Sequence, residues 1–434
     1  MATGLLGAID CWLTLPLCLA VRWVNRGLAP LSGQRGPAAR PQTICLAKFA
    51  GLGSIINTTP LLRAVRKRYP SGHIVYLTFA RHEELVRRLT PVDEGLFIDD
   101  RSLWSLARSL YFVTRRLKQL APTCYLDLQY YSVCYFSALV AILSGAPQVV
   151  GFIRQPSLAK KRFLTCAVYF NAFQPLQEAF RQIAAAIGCE LCVSSPAGEC
   201  SLRIFSKDQE EVKQYLSRRE KQPRRLLVVN ANASAACLER RWPRESFAET
   251  VRGLLRRMSD LRVVLIGAAD ERGCVEGLRY AIGPDNQRVL NLAGVLSQGG
   301  LLALLRQADC LLSNDSGPMH AGFALGTPTV ALFGPANPQD HISQADLRKS
   351  VIFYAPVFCS PCIHFISPPP CGGDNTCMRL IPVASVREAC LALLTGKALR
   401  GSLAAQWRPP AFVAPTVAWG APHDALYVHR CAPS

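Results

Sequence analysis

From Thr43 to about Thr395 the chain alternates short unbroken apolar runs with longer stretches whose apolar residues recur every three or four positions. TICLAKF (Thr43–Phe49) predicts a buried strand, AGLGS (Ala50–Ser54) a glycine turn, and Ile55–Tyr69 an amphipathic helix ending in the basic run Arg63, Arg66, Lys67 and Arg68. Pro70-Ser71-Gly72 breaks that helix, and His73–Phe79 predicts the next strand. Thr123–Leu128 and Gln148–Phe152 predict two more strands around a long apolar helix near Tyr135–Leu143. Strands that alternate with helices imply right-handed crossovers and a parallel sheet. Glycine turns after such strands lie at the carboxyl edge, where open α/β sheets bind ligands.

A second series opens after Ser206–Arg225, which predicts a charged helical connector. Leu226–Asn230 (LLVVN) predicts a strand, and Asn232-Ala233-Ser234 a loop leading to Arg240-Arg241-Trp242-Pro243. The helix Glu245–Met258 and the apolar strand Arg262–Gly267 follow, then Asp270 and Glu271 at the start of another helix. Gln307–Leu312 leads into SNDSGPMHAGFALGTPTVALFGP (Ser313–Pro335). Here Ser313–Gly317 predicts a strand-to-helix loop, with Pro318 in the first helical turn, where no N–H donor is needed. Free N–H groups around Ser316 and Gly317, aligned with the helix dipole, suit an anion. Asp315 offers a carboxylate to sugar or ribose hydroxyls, and a plain helix cap is the competing reading.

The ends of the chain break the pattern. Leu5 to Val24 is mostly apolar and nearly long enough to cross a bilayer. Asp10 and Arg22 make a span costly, so an interfacial anchor competes with it, as does an extra helix packed on the fold. The Gly/Pro/Arg stretch Gly27–Pro41 predicts a linker, and Arg400–Ser434, rich in Ala and Pro, a poorly ordered tail. The organisation expected is therefore an anchor and linker at 1–40, a first domain at 41–205, a connector at 206–225, a second domain at 226–395 and a tail at 396–434.

Composition sharpens this. Of 434 residues, 49 are basic and 30 acidic, a net charge of +19 that favours anionic partners: phosphorylated substrates, anionic lipid headgroups or nucleic acid. No zinc-finger spacing, RNA-binding signature or long basic run accompanies the charge, so nucleic acid is not expected. The 18 cysteines are scattered, many in apolar runs (Cys45, Cys124, Cys134, Cys166, Cys310), as buried reduced thiols are, which points to a reducing cytoplasm.

NDSGPMHAGFALGTPTVALFGP resembles the donor-site segment of the glycosyltransferase family that contains the lipopolysaccharide heptosyltransferases, glycosyltransferase family 9. AKFAGLGSIINTTPLLRAVRKRYP resembles that family's acceptor-side motif, CYLDLQYYSVCYFSALVAILSGAPQVVGF its mid-domain segment, and ANASAACLERRWPRESFAE its second-domain entry loop. The resemblance implies a GT-B fold, two Rossmann-like α/β domains facing each other across a cleft, with acceptor on the first and donor on the second. It implies inverting, metal-independent transfer of heptose or a similar sugar from a nucleotide-sugar, ADP-heptose, to a lipopolysaccharide-core or other glycolipid acceptor. The place of action would be the cytoplasmic face of the inner membrane, on an anionic surface, with no cofactor. A catalytically weak or silent GT-B protein is the alternative, and a sugar-nucleotide epimerase is disfavoured by the motifs.

Carried over by resemblance, Ser316 and Gly317 would hold the donor diphosphate, Asp315 the sugar hydroxyls, and Asp270 or Glu271 the ribose. Arg240 would neutralise the leaving diphosphate, and Lys48 matches a basic residue beside the glycine turn. Oriented N–H groups and fixed positive charge stabilise a departing diphosphate. No Asp-x-Asp sequence occurs, which removes the usual metal-holding device of the other major glycosyltransferase fold. Where relatives often carry the aspartate base, this chain has Ser54, whose hydroxyl cannot act as a base at neutral pH. Asp127, at the end of its strand, is the first substitute, with Asp99 and Asp100 behind it, and turn capping is the competing reading. Cys359, Cys362, Cys371 and Cys377, near His364, have spacing compatible with a zinc knuckle, against free loop thiols or a disulfide.

Overall fold

The computed structural model describes residues 10, 14–28, 43–49, 51–130, 134–154, 158–171, 174, 176–191, 202–217, 224–233, 237–284, 286–338, 342, 349–363, 369–396 and 428–430. The predicted linker and tail, together with Ala50, Ser234 and His364, lie wholly or largely outside them. The chain forms two compact units. The first reaches Val193 and takes back Leu202 and Arg203; the second begins at Ile204.

The first unit runs α1 (Leu15–Leu28), β1 (Thr43–Ala47), α2 (Leu52–Ile56), α3 (Thr59–Arg68), β2 (His73–Phe79), α4 (Glu83–Val86), β3 (Glu94–Ile98), α5 (Leu103–Leu120), β4 (Cys124–Asp127), α6 (Cys134–Ser144), β5 (Gln148–Ile153), β6 (Cys166–Tyr169) and α7 (Leu176–Ala186). Its six strands lie in the order β3-β2-β1-β4-β5-β6, all parallel. Every residue of β1 and β4 is buried, which is why they read as unbroken apolar runs. The helix expected over Ile55–Tyr69 is two helices. Pro60 has no N–H for the carbonyl of Ile56, so the ladder stops and restarts with proline in the first turn of α3.

The first forty residues do not all stand apart from this unit. The buried Asp10 carboxylate accepts from the N–H groups of Tyr135 (3.0 Å) and Phe136 (2.7 Å), capping α6. Cys18 of α1 is buried in a cluster with Tyr135, Ala138, Leu139 and Phe163. One face of α1 is thus packed on the first unit, and among the described residues no helix is long and apolar enough to cross a membrane.

The second unit runs α8 (Ser206–Leu216), β7 (Arg225–Asn230), α9 (Arg244–Arg257), β8 (Leu261–Leu265), α10 (Arg272–Ile282), β9 (Val289–Asn291), α11 (Gln298–Gln307), β10 (Cys310–Asn314), α12 (Gly317–Leu325), β11 (Thr329–Phe333), β12 (Ser350–Tyr354), α13 (Thr376–Arg379), α14 (Val383–Thr395) and β13 (Val428–Arg430). The strand order is β13-β12-β11-β10-β7-β8-β9, again all parallel. The stretch expected to connect the domains is partly α8, which packs on α11 within this unit. There Glu211 accepts from the Ser297 N–H at 2.7 Å.

Counted from its own first strand, each sheet has the order 3-2-1-4-5-6, the doubly wound Rossmann order, the second with one strand added at its edge. Strand order reverses between β1 and β4 and between β7 and β10. The connections leave on opposite faces there, opening a crevice at the carboxyl ends.

Candidate active site

In the second unit, sequence places polar residues where the apolar strands run out at this reversal. β7 ends on Asn230 and β10 on Asn314, both buried. Asn230 Nδ2 donates to Ser316 Oγ at 2.7 Å and to Ser313 Oγ at 3.2 Å, tying the two strand ends together. Asn314 accepts from the Trp242 N–H (3.1 Å) and donates to the Ala231 carbonyl (2.9 Å), fixing the loop that carries Arg240. Ser316 is the extended N-cap of α12, with φ −160° and ψ 172°. The first N–H groups of a helix have no carbonyl within it to accept them, so Gly317 and its neighbours present donors at the positive end of α12.

Arg240 comes from the short turn Leu238–Arg240, 75 residues before Asp315, yet its Nε lies 3.4 Å from Asp315 Oδ2. His320, one turn into α12, places Nε2 3.8 Å from Asp315 Oδ1. Burial lowers the His320 pKa first; Asp315 opposes this and Arg240 reinforces it. The structure thus joins an arginine, a carboxylate and an imidazole beside a helix N-terminus. Such a group can hold a diphosphate at the N–H donors, set a cation beside its leaving oxygen, and accept from sugar hydroxyls.

The acidic pair divides. Asp270 is exposed, while Glu271 accepts from the Ala268 N–H at 2.8 Å and lies 3.6 Å from Arg241. Gly267 makes room for it, since a Cβ there would meet Asn232 Nδ2 at 2.7 Å and Glu271 Oε2 at 3.2 Å. Glu271 is therefore the member held in place after β8.

The first unit corrects three expectations. Asp127 ends β4 at the strand reversal, but it is fully buried. One oxygen is 2.8 Å from Lys160 Nζ, also fully buried, and the other accepts from Ser137 Oγ (2.8 Å) and the Gln129 N–H (3.1 Å). A carboxylate so enclosed does not face an acceptor hydroxyl, so Asp127 is a structural anion and not a base. Asp99 is paired with Arg101 at 2.7 Å and Asp100 with Arg81, both beyond the end of edge strand β3. Lys48 is buried too, donating to the Leu128 carbonyl at 2.9 Å and lying 3.7 Å from the Tyr130 ring centre. Burial pulls its pKa down to about 7, so it is a poor fixed charge for a phosphate. Ser54 sits half-buried in α2 with Gly51 beneath its hydroxyl; Gly51 holds φ +75°, a conformation that needs glycine.

The four late cysteines are all free thiols. Among the described residues no group of three or more His, Cys, Asp or Glu is placed to hold a metal ion. Two participants went unread in the sequence, Asn230 and His320. Their signals were there: an amide closing the apolar run LLVVN, and a histidine one turn beyond Ser316 in an otherwise apolar helix.

Two doubly wound nucleotide-binding-type units, one with Arg240 and Asp315 beside a helix N-terminus at its strand reversal, have the make-up of a GT-B protein. The profile of glycosyltransferase family 9 (heptosyltransferase) matches residues 113–366, more than half of the chain, and the chain belongs to that family. It is 33% identical over 100 residues to lipopolysaccharide heptosyltransferase 2 of Escherichia coli K12, a match spanning 23% of this chain and 28% of that relative. Its fold is that of the solved E. coli ADP-heptose lipopolysaccharide heptosyltransferase II, with TM-score 0.62 and 20% identity over 82% of this chain and 99% of the other. E. coli heptosyltransferase WaaC with ADP-2-deoxy-2-fluoro heptose gives TM-score 0.56 and 16% identity over 82% and 100%.

Proposed function

We propose that the chain transfers heptose or a similar sugar from ADP-heptose to a lipopolysaccharide-core or other glycolipid acceptor, with inversion and without a metal. The observation that carries this is the Arg240–Asp315–His320 group at the N-terminus of α12. Breaking the bond to a nucleoside diphosphate moves negative charge onto the leaving oxygen. A guanidinium and helix N–H groups already in position stabilise that charge without reorganising. Asp315 and His320 are then left to orient sugar hydroxyls, and Glu271 to accept from the ribose. The donor assignment is supported by the solved relative that holds an ADP-sugar analogue.

We place the protein peripherally at the cytoplasmic face of the inner membrane. Buried free thiols suit a reducing compartment. On α1, Leu17, Leu19 and Trp23 face outward, apolar surface that an interfacial helix would bury in a bilayer.

The test is a thermal-shift panel of nucleotide-sugars, followed by mass spectrometry of a truncated core acceptor. ADP-heptose should raise the melting temperature and yield an acceptor heavier by one heptose. Arg240→Ala should weaken donor binding by about tenfold or more and slow turnover by roughly 10²–10³-fold. Binding and turnover unchanged in that variant would remove Arg240 from the site, and no shift with any ADP-sugar would refute the donor.

A further inference from the structure

Helix α5 has two apolar-bearing faces where a surface helix needs one. Leu106, Leu110, Val113, Leu117 and Leu120, spaced by three and four, join the core cluster of Val75 and Leu77 of the first sheet and Val140 of α6. The opposite face carries Trp104, Arg108, Tyr111, Arg115 and Lys118, again spaced by three and four, so they form a second stripe turned away from the core. Trp104 is 75% exposed and Tyr111 61%, and the flanking Leu103 (86%) and Phe112 (53%) are as open. Among the described residues no element covers these large apolar groups.

The charge on the stripe is unopposed. No acidic residue occurs in α5, and among the described residues no carboxylate pairs with Arg108, Arg115 or Lys118. Arg116, on another face, is the arginine of this helix that holds Glu94. Alongside the stripe, Tyr111, Thr114, Arg115 and Lys118 line a groove of about 780 Å³ whose far wall is Leu143 of α6. Leu143 also packs against the α1 cluster, so α5, α6 and α1 form one continuous layer. At its other margin that layer exposes Leu17, Leu19 and Trp23.

From this we infer that the outer stripe of α5 is a docking surface for an anionic bilayer, on which the first unit lies with α5 parallel to the plane. Indole and phenol rings settle at the headgroup boundary, and arginines between them meet lipid phosphates. The chemistry favours lipid over nucleic acid, because Leu103, Phe112 and the α1 side chains add aliphatic and phenyl surface that a polyanion in water does not cover. The inference rests on the lipid-linked acceptor proposed above, and it assigns the contact to a helix remote in sequence from the apolar N-terminal segment.

The experiment is flotation of the full chain with phosphatidylcholine vesicles, with and without one-third phosphatidylglycerol, at 20 and 500 mM salt. The expected result is binding to anionic vesicles at low salt that weakens at high salt. Arg108→Gln with Arg115→Gln should reduce partitioning about 30-fold, since each basic residue near such a surface contributes about 1 kcal/mol, or about fivefold. Trp104→Ser with Tyr111→Ser should reduce it by roughly tenfold or more. All four side chains are on the outside, so melting temperatures should hold. Transfer to a water-soluble acceptor fragment should hold as well, which separates this inference from the proposed activity. If the fourfold variant floats like the wild type while Leu19→Ser with Trp23→Ser does not, the contact belongs to α1 and the inference falls. It falls equally if the wild type ignores anionic vesicles, or is retained by a single-stranded oligonucleotide instead.

Discussion

Asp127→Asn tests the sharpest difference between sequence and structure. The substitution is nearly isosteric, so the amide oxygen that replaces the carboxylate still accepts from Ser137 Oγ and the Gln129 N–H. What it removes is the charge facing Lys160 at 2.8 Å, with both side chains fully buried. A buried pair that loses one partner leaves an uncompensated ion, at a cost of about 3–5 kcal/mol. For a unit of this size each kcal/mol shifts melting by about 2–4 °C, so a fall of roughly 6–20 °C is expected in the transition of the first unit. Removing both charges, with Lys160→Met, should recover most of the loss, because no ion is then stranded. Differential scanning calorimetry of the wild type, both single variants and the double variant measures this, with turnover assayed below the lowest transition. If Asp127→Asn melts with the wild type but loses turnover, the carboxylate acts on substrate and its assignment as a structural anion is wrong.

Three further outcomes are expected. Ser54→Asp places a carboxylate at the position where the family often has one, and a base there should raise turnover by up to ~10²–10⁴-fold; unchanged turnover would show that this turn does not face the acceptor hydroxyl. Lys48 has a folded pKa pulled down to about 7 from 10.5, so between those values the unfolded chain holds the extra proton and stability should rise with pH. That contribution is at most about 1.4 kcal/mol per pH unit, and urea midpoints from pH 7 to 9 should lose this slope in Lys48→Met. Asp10→Ala should cost about 1–2 kcal/mol by uncapping α6, whereas Asp10→Asn keeps most of the cap; equal melting of the two would discount it.

The central strands were legible because each is buried on both faces and so is apolar without interruption. The edges were not. β3, β6 and β9 mix buried and partly open positions, and β9 has only three residues, too few to show a period. α5 escaped because its outer aromatics fill the polar half of the helical period. Segments around Arg240 and Asp315 could be read singly from their motifs, and the structure joins them. The enclosure of Asp127 could not be read, because Lys160 lies 33 residues away in a stretch with no pattern of its own. A carboxylate at a strand end looks the same in sequence whether it faces a substrate or a buried amine.

The cap that Asp10 sets on α6 bears on how the chain is made. Its partner N–H groups come 125 and 126 residues later, so at about 5–20 residues per second a ribosome needs roughly 6–25 s to supply them. Through that interval α1 is already synthesised, while the Tyr135, Leu139 and Phe163 side chains that will cover Cys18 do not yet exist. An apolar helix in that state has water, a chaperone or a membrane surface as its surroundings. The order of synthesis therefore leaves the inner face of α1 uncovered until α6 has been made.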